Sequence, residues 1–460
     1  MNVTEQPPTR QTVGTSNSKK PAAGRTGARF GWLDALRGIA ALVVACYHFN
    51  VPFLIPYGTW VGDRFDYGIF AVVLFFLVSG YIVPASLERR GDVRGFWVGR
   101  LFRIYPVLIV IIVASLAVLP RAYAAVQGYA FDHSLLATAA NGLMLHEMLA
   151  VPSVLGVMWT LSYEMVFYYF VSALFVLGWH RKSTSIAIGF ATVALLLGAA
   201  IAPTMISVDE LSTRHLVLGA GVVVVMGMAC VLSGNDALTR TGALLLGGLG
   251  LLLAFTNARA TVFETMMIFA TMFCGTVLYR VQHGQIERLH AVMACGFVMV
   301  AGFLVGVMYN NGSALWRTWT VSWMAWSYAY VGAWAVFLLG MALRNRRFPR
   351  VLTWLGTVSY SVYLVHIPVI HAMAWLLKDQ QFPKHGFGKF IPTAIFLTSV
   401  LVLSYLTHRF LELPGQKLGN RLLKALSART ARSRAAVGAA AEEPAQALAP
   451  REEQVPARAQ

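Results

Sequence analysis

Residues 31–49, GWLDALRGIAALVVACYHF, decide the fold. The apolar stretch at about 33–53 has the length of a membrane-spanning helix, although Asp34, Arg37 and His48 lie in or beside it. Ionisable side chains are costly inside a membrane, so each of them is a candidate for function. Arg37 and His48 are eleven positions apart. On a helix this spacing puts them on one face, ~16 Å apart along the axis.

Eleven further apolar stretches follow the first one. They span about 67–86, 98–119, 156–178, 186–202, 215–233, 239–256, 262–279, 290–308, 321–342, 352–376 and 391–412. Several central stretches are short, so we predict an all-α fold, a polytopic membrane helix bundle of about ten to twelve transmembrane helices. Only 12% of the residues are charged, about half the fraction of a soluble domain. This composition excludes an ordinary soluble enzyme and a disordered chain.

The basic residues predict the orientation of the helices. The formal net charge is +17, and Lys and Arg cluster at 19–29, 89–100, 181–182, 344–350 and 417–424. Every second connection is therefore basic, which places both termini in the cytoplasm. The chain has no aromatic-interleaved basic patch and no zinc-ligand spacing, so a nucleic-acid partner is not expected.

The chain divides into three parts. Residues 1–30 have the composition of a disordered cytoplasmic N-terminal tail, residues 31–415 form the membrane-embedded domain, and residues 416–460 form a basic, low-complexity cytoplasmic C-terminal tail. The long connection 120–155 is expected to hold a re-entrant or interfacial segment around Leu135–Leu149. All four cysteines lie inside apolar stretches without CxxC spacing, so neither disulfides nor a metal site are predicted.

Further polar side chains are expected at two different depths in the membrane. Arg100 and Arg103 share a helix face at the cytoplasmic end of the third stretch, where they could clamp the phosphates of an anionic ligand. Glu164 is expected ~12 Å below the outer surface, close to the depth of His48. His366 also falls in the outer half. An anionic ligand would then enter from the cytosol, and chemistry would take place deeper in the membrane.

Each candidate also has a purely structural interpretation. Arg37 could snorkel and pair with Asp34, and the arginine pair could be a topological anchor. Glu164 and the two histidines could be hydrogen-bonded residues of the bundle interior. Ser79 is more typical of close helix packing than of catalysis.

Six segments, in order, resemble the acyltransferase 3 family of integral-membrane O-acyltransferases. They are LDALRGIAALVVACYHF with its Arg-x10-His spacing, FFLVSGY, RLFRIYP, WTLSYEMVFY, SYSVYLVHIP and HRFLELP, which together cover about 32–415. The resemblance implies a catalytic role for His48 and Glu164, and a donor-binding role for Arg37, Arg100 and Arg103. Further candidates for supporting the active site are Asp34, His366, Tyr163 and Ser79.

The resemblance also implies an activity. Family members move acyl groups, most often acetyl from acetyl-CoA, to hydroxyls of extracytoplasmic sugars or related acceptors. We therefore expect a multi-pass acyltransferase of the inner membrane, with acetyl-CoA or another acyl-CoA as co-substrate and no permanently bound cofactor. Its expected partners are a carbohydrate acceptor such as an exopolysaccharide or O-antigen, membrane lipid, and polysaccharide biosynthesis or export proteins. A secondary transporter and a polysaccharide-export component are the alternatives.

The alternation of basic connections predicts the result of reporter fusions. Fusions at Lys182 and Arg347 should report the cytoplasm, and a fusion at Asp63 should report the outside, because basic loops stay on the cytoplasmic side. Enzymatic reporters active on one side only provide the measurement. A cytoplasmic signal at Asp63 together with an outside signal at Arg347 would reverse the predicted orientation.

Overall fold

The computed structural model describes residues 31–50, 58–119, 133–312, 315–318, 320–377, 388 and 390–428. Within these ranges the regular structure is helical, with no strand. The predicted N-terminal tail, most of the predicted C-terminal tail and residues 120–132 of the connection 120–155 lie outside them.

Fifteen described helices make up the bundle. They are α1 Gly31–His48, α2 Gly58–Gly62, α3 Tyr67–Arg90, α4 Val93–Val118, α5 Ser134–Gly142, α6 Trp159–Val176, α7 Ser183–Leu197, α8 Glu210–Leu232, α9 Asp236–Thr256, α10 Val262–Gln282, α11 Arg288–Tyr309, α12 Leu315–Thr318, α13 Trp323–Ala342, α14 Arg350–Leu376 and α15 Phe390–Ala428.

The helices confirm the predicted fold class. In the described part of the chain, ten helices are long and apolar enough to cross a membrane. Helix α7 is too short, with 15 residues, and α1 has 18 residues that include the charged Asp34 and Arg37. Each of the twelve apolar stretches predicted from the sequence coincides with a helix over most of its described residues. Helix α15 continues past the boundary predicted at 415, so the first residues of the predicted C-terminal tail are helical.

Helices α1 and α14 lie side by side and run parallel, with their backbones in contact. A Cβ atom added to Gly38 would lie 2.7 Å from the Gly356 nitrogen, and one added to Gly356 would lie 2.0 Å from the Asp34 carbonyl oxygen. Gly38 lies opposite Gly356 and His48 opposite His366, at the same sequence offset of 318. The glycines therefore fix the register of the two helices over their whole shared length.

Helices α3 and α10 make a second close contact. A Cβ atom on Gly80 would lie 1.8 Å from the Met272 carbonyl oxygen, and one on Gly275 would lie 2.3 Å from the Leu77 carbonyl oxygen. The hydroxyl of Thr276 donates to the Gly80 carbonyl at 2.9 Å. Gly80 and Gly275 therefore allow the backbones of α3 and α10 to pack closely.

The segment between α5 and α6 is a loop buried inside the bundle. Leu145, His146 and Met148 are fully buried. Two asparagines satisfy its main chain: Asn257 donates to the Met148 carbonyl at 3.1 Å, and Asn141 binds both the Pro152 carbonyl and the Val154 amide. A non-helical backbone inside a membrane protein is tolerated only where protein groups, in place of water, form its hydrogen bonds. The residues around Leu135–Leu149, for which a re-entrant or interfacial segment was expected, form α5 and this buried loop.

The contact between α1 and α14 yields a prediction about stability. Gly356→Ala should destabilise the protein by ~1–3 kcal/mol, because the added methyl group would overlap the Asp34 main chain. Gly189→Ala in α7 is the matched control, since its Cβ meets no atom within 4 Å. Thermal unfolding of the two detergent-solubilised variants is the measurement. Equal melting temperatures would show that the contact does not hold α1 in register.

Candidate active site

Three arginines surround a cavity of about 50 Å3 near the N-terminal ends of α1, α4 and α14. We call it the arginine cavity. It is lined by Arg37 of α1, Ser79, Val78, Ile82 and Val83 of α3, Arg100, Arg103 and Ile104 of α4, Glu164 and Tyr168 of α6, and Tyr360 of α14. Three arginines and one glutamate give this lining a formal charge of 3 − 1 = +2. The cavity is therefore suited to an anion.

Tyrosine and serine hydroxyls hold the glutamate of this cavity. The Tyr168 hydroxyl donates to Glu164 Oε1 at 2.5 Å, and the Ser79 hydroxyl approaches the same oxygen at 3.5 Å. Arg100 reaches the Tyr168 hydroxyl at 3.5 Å and lies over its ring, 5.0 Å from the centroid. Glu164 therefore anchors Tyr168, and the ring of Tyr168 supports Arg100 from one side.

Two histidines meet at the other ends of α1 and α14. Nε2 of His366 lies 3.3 Å from Nδ1 of His48, and the ring centroids are 5.2 Å apart. His366 is fully buried, whereas His48 is exposed at the end of α1. The register set by the glycines of α1 and α14 produces this pairing.

The carbonyl groups around the histidines determine their tautomers. Nδ1 of His366 lies 3.1 Å from the Val362 carbonyl oxygen, and Nδ1 of His48 lies 2.9 Å from that of Val44. A carbonyl oxygen can only accept, so in the neutral rings both Nδ1 atoms carry the proton. Nε2 of His366 is then an acceptor that faces the Nδ1–H of His48. Within the described part of the chain, the lone pair of His48 Nε2 has no hydrogen-bond partner.

Two tyrosines of α14 lie between the level of the cavity and the level of the histidine pair. Tyr360, Tyr363 and His366 follow one another at three-residue spacing, and six residues of helix cover ~9 Å. The Tyr363 hydroxyl donates to the Val157 carbonyl and binds the Thr160 hydroxyl, both at 2.6 Å. Tyr363 is buried and lies between the two polar centres.

Glu164 does not lie where the sequence analysis placed it. It lines the arginine cavity together with Arg37, and Arg37 is ~16 Å from His48 along α1. The expectation of a common depth with His48 is therefore wrong. The expectation assumed that the helix starts at the outer surface and placed Glu164 by counting residues inward from there. However, α6 follows the buried loop, and Met158, just before the first residue of α6, is fully buried.

Most, but not all, of the other predicted site residues lie at the arginine cavity. Arg37, Arg100, Arg103 and Ser79 line one cavity, and Asp34 interacts electrostatically with Arg37 and Arg103. Tyr163 points elsewhere: its hydroxyl binds that of Thr265 on α10 at 3.0 Å. Neighbouring helix positions differ by ~100° in direction, so when Glu164 faces the cavity Tyr163 cannot.

Three tyrosines and one threonine near the two polar centres were not predicted from the sequence. Tyr168 follows Glu164 by four residues and so shares its helix face, a spacing that could have identified it. Tyr360 and Tyr363 precede His366 within SYSVYLVHIP at three-residue spacing, which is an equally readable signal. Thr160 has no such signal, because its role depends on how α6 packs against α14.

The buried loop holds a separate polar group. His146 Nδ1 lies 3.4 Å from the Ser162 hydroxyl, which also accepts from the Glu147 amide. Burial, together with the charge of Arg259, lowers the pKa of His146 to about 3. His146 is thus neutral near pH 7 and fastens the loop to α6. Among the described residues, no three His, Cys, Asp or Glu side chains form a group that could hold a metal ion.

The chain is similar in sequence to several known proteins. The chain is 32% identical over 152 residues to nodulation protein 10 of Rhizobium leguminosarum bv. viciae, covering 30% of this chain and 41% of that protein. It is 33% identical over 86 residues to a Staphylococcus aureus (strain COL) protein provisionally named an O-acetyltransferase, covering 17% of this chain and 12% of that protein. No solved structure matches the chain.

A family model extends the similarity over most of the sequence. The model described as an acyltransferase domain matches residues 30–409, from the start of α1 into the π-helical turn of α15. The arginine cavity, the histidine pair and the helices that carry them all lie within this range. The chain therefore belongs to the acyltransferase 3 family and carries its membrane-embedded acyltransferase domain.

Proposed function

We propose that the protein is an O-acyltransferase that takes an acyl group from acyl-CoA in the cytoplasm and transfers it to a hydroxyl of an extracytoplasmic carbohydrate. One observation carries the proposal: α1 and α14 carry an arginine-lined cavity at one end and, at the other, a histidine whose Nε2 forms no hydrogen bond with a described residue. The separation of ~16 Å along α1 is of the order of the reach of a pantetheine arm.

The donor end suits the phosphates of CoA. Arginine presents a planar fork that binds phosphate through two hydrogen bonds, and three arginines converge on the arginine cavity. Glu164 acts at this end, by holding Tyr168 and through it Arg100. With the predicted topology, this end faces the cytoplasm, where acyl-CoA is found.

The acceptor end suits base catalysis. His48 Nε2 would take the proton of the acceptor hydroxyl as its oxygen attacks the thioester carbonyl. The C–S bond then breaks, and the proton passes to the CoA thiolate. While His48 is protonated, its Nδ1–H still donates to the Val44 carbonyl and to His366 Nε2. His366 thereby positions His48 and stabilises its charged form.

The same geometry permits a two-step route. His48 Nε2 could attack the thioester itself, and an acyl-histidine would then pass the group to the acceptor hydroxyl. Both routes use the same tautomer of His48. The names of the Staphylococcus relatives support acetyl as the acyl group and oxygen as the acceptor atom.

A transporter is the alternative function. Charged residues at mid-depth would then bind the transported substrate or protons. Incubation of cell membranes with labelled acetyl-CoA separates the two functions, because an acyltransferase alone moves label to an acceptor. Absence of label transfer from every acyl-CoA tested, with the protein shown to be present and folded, would refute the proposal.

His48 should be required for the chemical step. In a strain that lacks the gene, His48→Ala should restore at most about 1% of wild-type acylation, since general-base catalysis contributes ~10²–10⁴-fold. His371→Ala on α14 is the matched control and should restore full activity. Mass spectrometry of surface glycans at equal membrane levels of protein is the measurement. Normal acylation by His48→Ala would remove His48 from the mechanism.

Arg100 should determine donor affinity. Arg100→Ala should raise the KM for acetyl-CoA by roughly 10- to 150-fold, because it removes a charge-assisted contact worth ~1.5–3 kcal/mol. Arg100→Lys should recover only part of this loss, since lysine lacks the fork. The control is Arg347→Ala, at an exposed arginine between α13 and α14. If Arg100→Ala and Arg347→Ala give the same KM, Arg100 is only a topological anchor.

A further inference from the structure

The motif HRFLELP at 408–414 has no role in the mechanism so far, yet its glutamate is buried. Residues His408–Glu412 form a π-helical turn within α15, and Glu412 is 2% exposed. His408 Nδ1 lies 2.9 Å from Glu412 Oε2, and the Gln416 amide donates to Oε1 at 3.2 Å. A widened turn of this kind inside a long helix is frequent at functional sites.

Two glycines hold this part of α15 against α4. A Cβ atom on Gly415 would lie 2.7 Å from the Phe102 carbonyl oxygen, and one on Gly419 would lie 2.7 Å from the Phe102 Cβ. The two backbones can approach this closely because both positions lack a side chain. Phe102 directly precedes Arg103, so the glycine contact fixes where Glu412 stands relative to Arg103.

Glu412 meets Arg103 from outside the arginine cavity. Glu412 Oε1 lies 3.8 Å from Arg103 Nε, whereas Glu412 is not among the residues that line the cavity. Contact at Nε leaves the two terminal guanidinium nitrogens for another partner. A phosphate bound through that pair would need the guanidinium plane held in one orientation.

We propose that Glu412 is a positioning residue, which holds Arg103 through Nε so that its terminal nitrogens face a phosphate of the donor. The inference rests on the proposed use of acyl-CoA. The π-helical turn brings the carboxylate to this position, while His408 and Gln416 fix its rotamer. Glu412 touches no substrate, so its loss should weaken donor binding rather than remove the chemical step.

The test measures the affinity of purified full-length protein for CoA by calorimetry. Glu412→Gln removes the charge, and Glu412→Asp keeps the charge but draws it back from Nε. Each should weaken CoA binding by roughly 5- to 50-fold, as expected when one charge-assisted contact is impaired. Glu264→Gln is the control, because Glu264 is also a buried glutamate, at 5% exposure, but lies outside the arginine cavity.

A second experiment, in Arg103→Lys protein, distinguishes positioning of Arg103 from a general effect of Glu412 on packing. In Arg103→Lys protein, which has no Nε to hold, Glu412→Gln should change CoA affinity less than twofold. If Glu412→Gln weakens binding equally in both backgrounds, or strengthens it in the first, Glu412 does not act through Arg103. If wild-type protein neither binds CoA nor transfers acetyl, the proposed function fails as well. If wild-type protein binds CoA and transfers acetyl, and the Glu412 variants bind CoA as tightly as wild type, this inference alone is overturned.

Discussion

The contact between the backbones of α1 and α14 is the constraint on which the rest of the site depends. Gly38 and Gly356 allow an approach that any side chain would block, and the two helices then run parallel at one fixed offset. That offset places His366 beside His48 at one end. At the other end it places Tyr360 beside the arginines. A shift of one turn would move each partner by ~5.4 Å and separate both groups.

Local patterns predicted the fold and much of the arginine cavity. Apolar length identified the long helices of the described part of the chain, because a segment that crosses lipid is predominantly apolar and satisfies its backbone hydrogen bonds as a helix. Arg100 and Arg103 share a face by their spacing alone. The pairing of His48 with His366 was not predictable, since it depends on the register of two helices far apart in sequence.

The depth predicted for Glu164 was wrong for a physical reason. Depth estimates from sequence assume that a helix starts where the chain enters the membrane. Here the chain between α5 and α6 is already buried, with Asn141 and Asn257 replacing water at its backbone. Apolar composition cannot distinguish a buried loop from the end of a membrane helix. Leu145 and Met148, which are buried in this loop, would be equally suitable in a membrane helix. Only the packed structure shows that α6 begins inside the bundle.

The hydrogen bonds of Tyr363 bear on the permeability of the membrane. An enzyme whose two substrates arrive from opposite sides needs a passage through the bilayer, and a permanently open one would leak ions. Under the proposed function, a donor arm would run from the arginine cavity to His48, past the hydrogen-bonded hydroxyls of Tyr363 and Thr160. The arm would have to separate these hydroxyls and would fill the space that it opens. The barrier to ions would then be kept by protein between turnovers and by the donor during them.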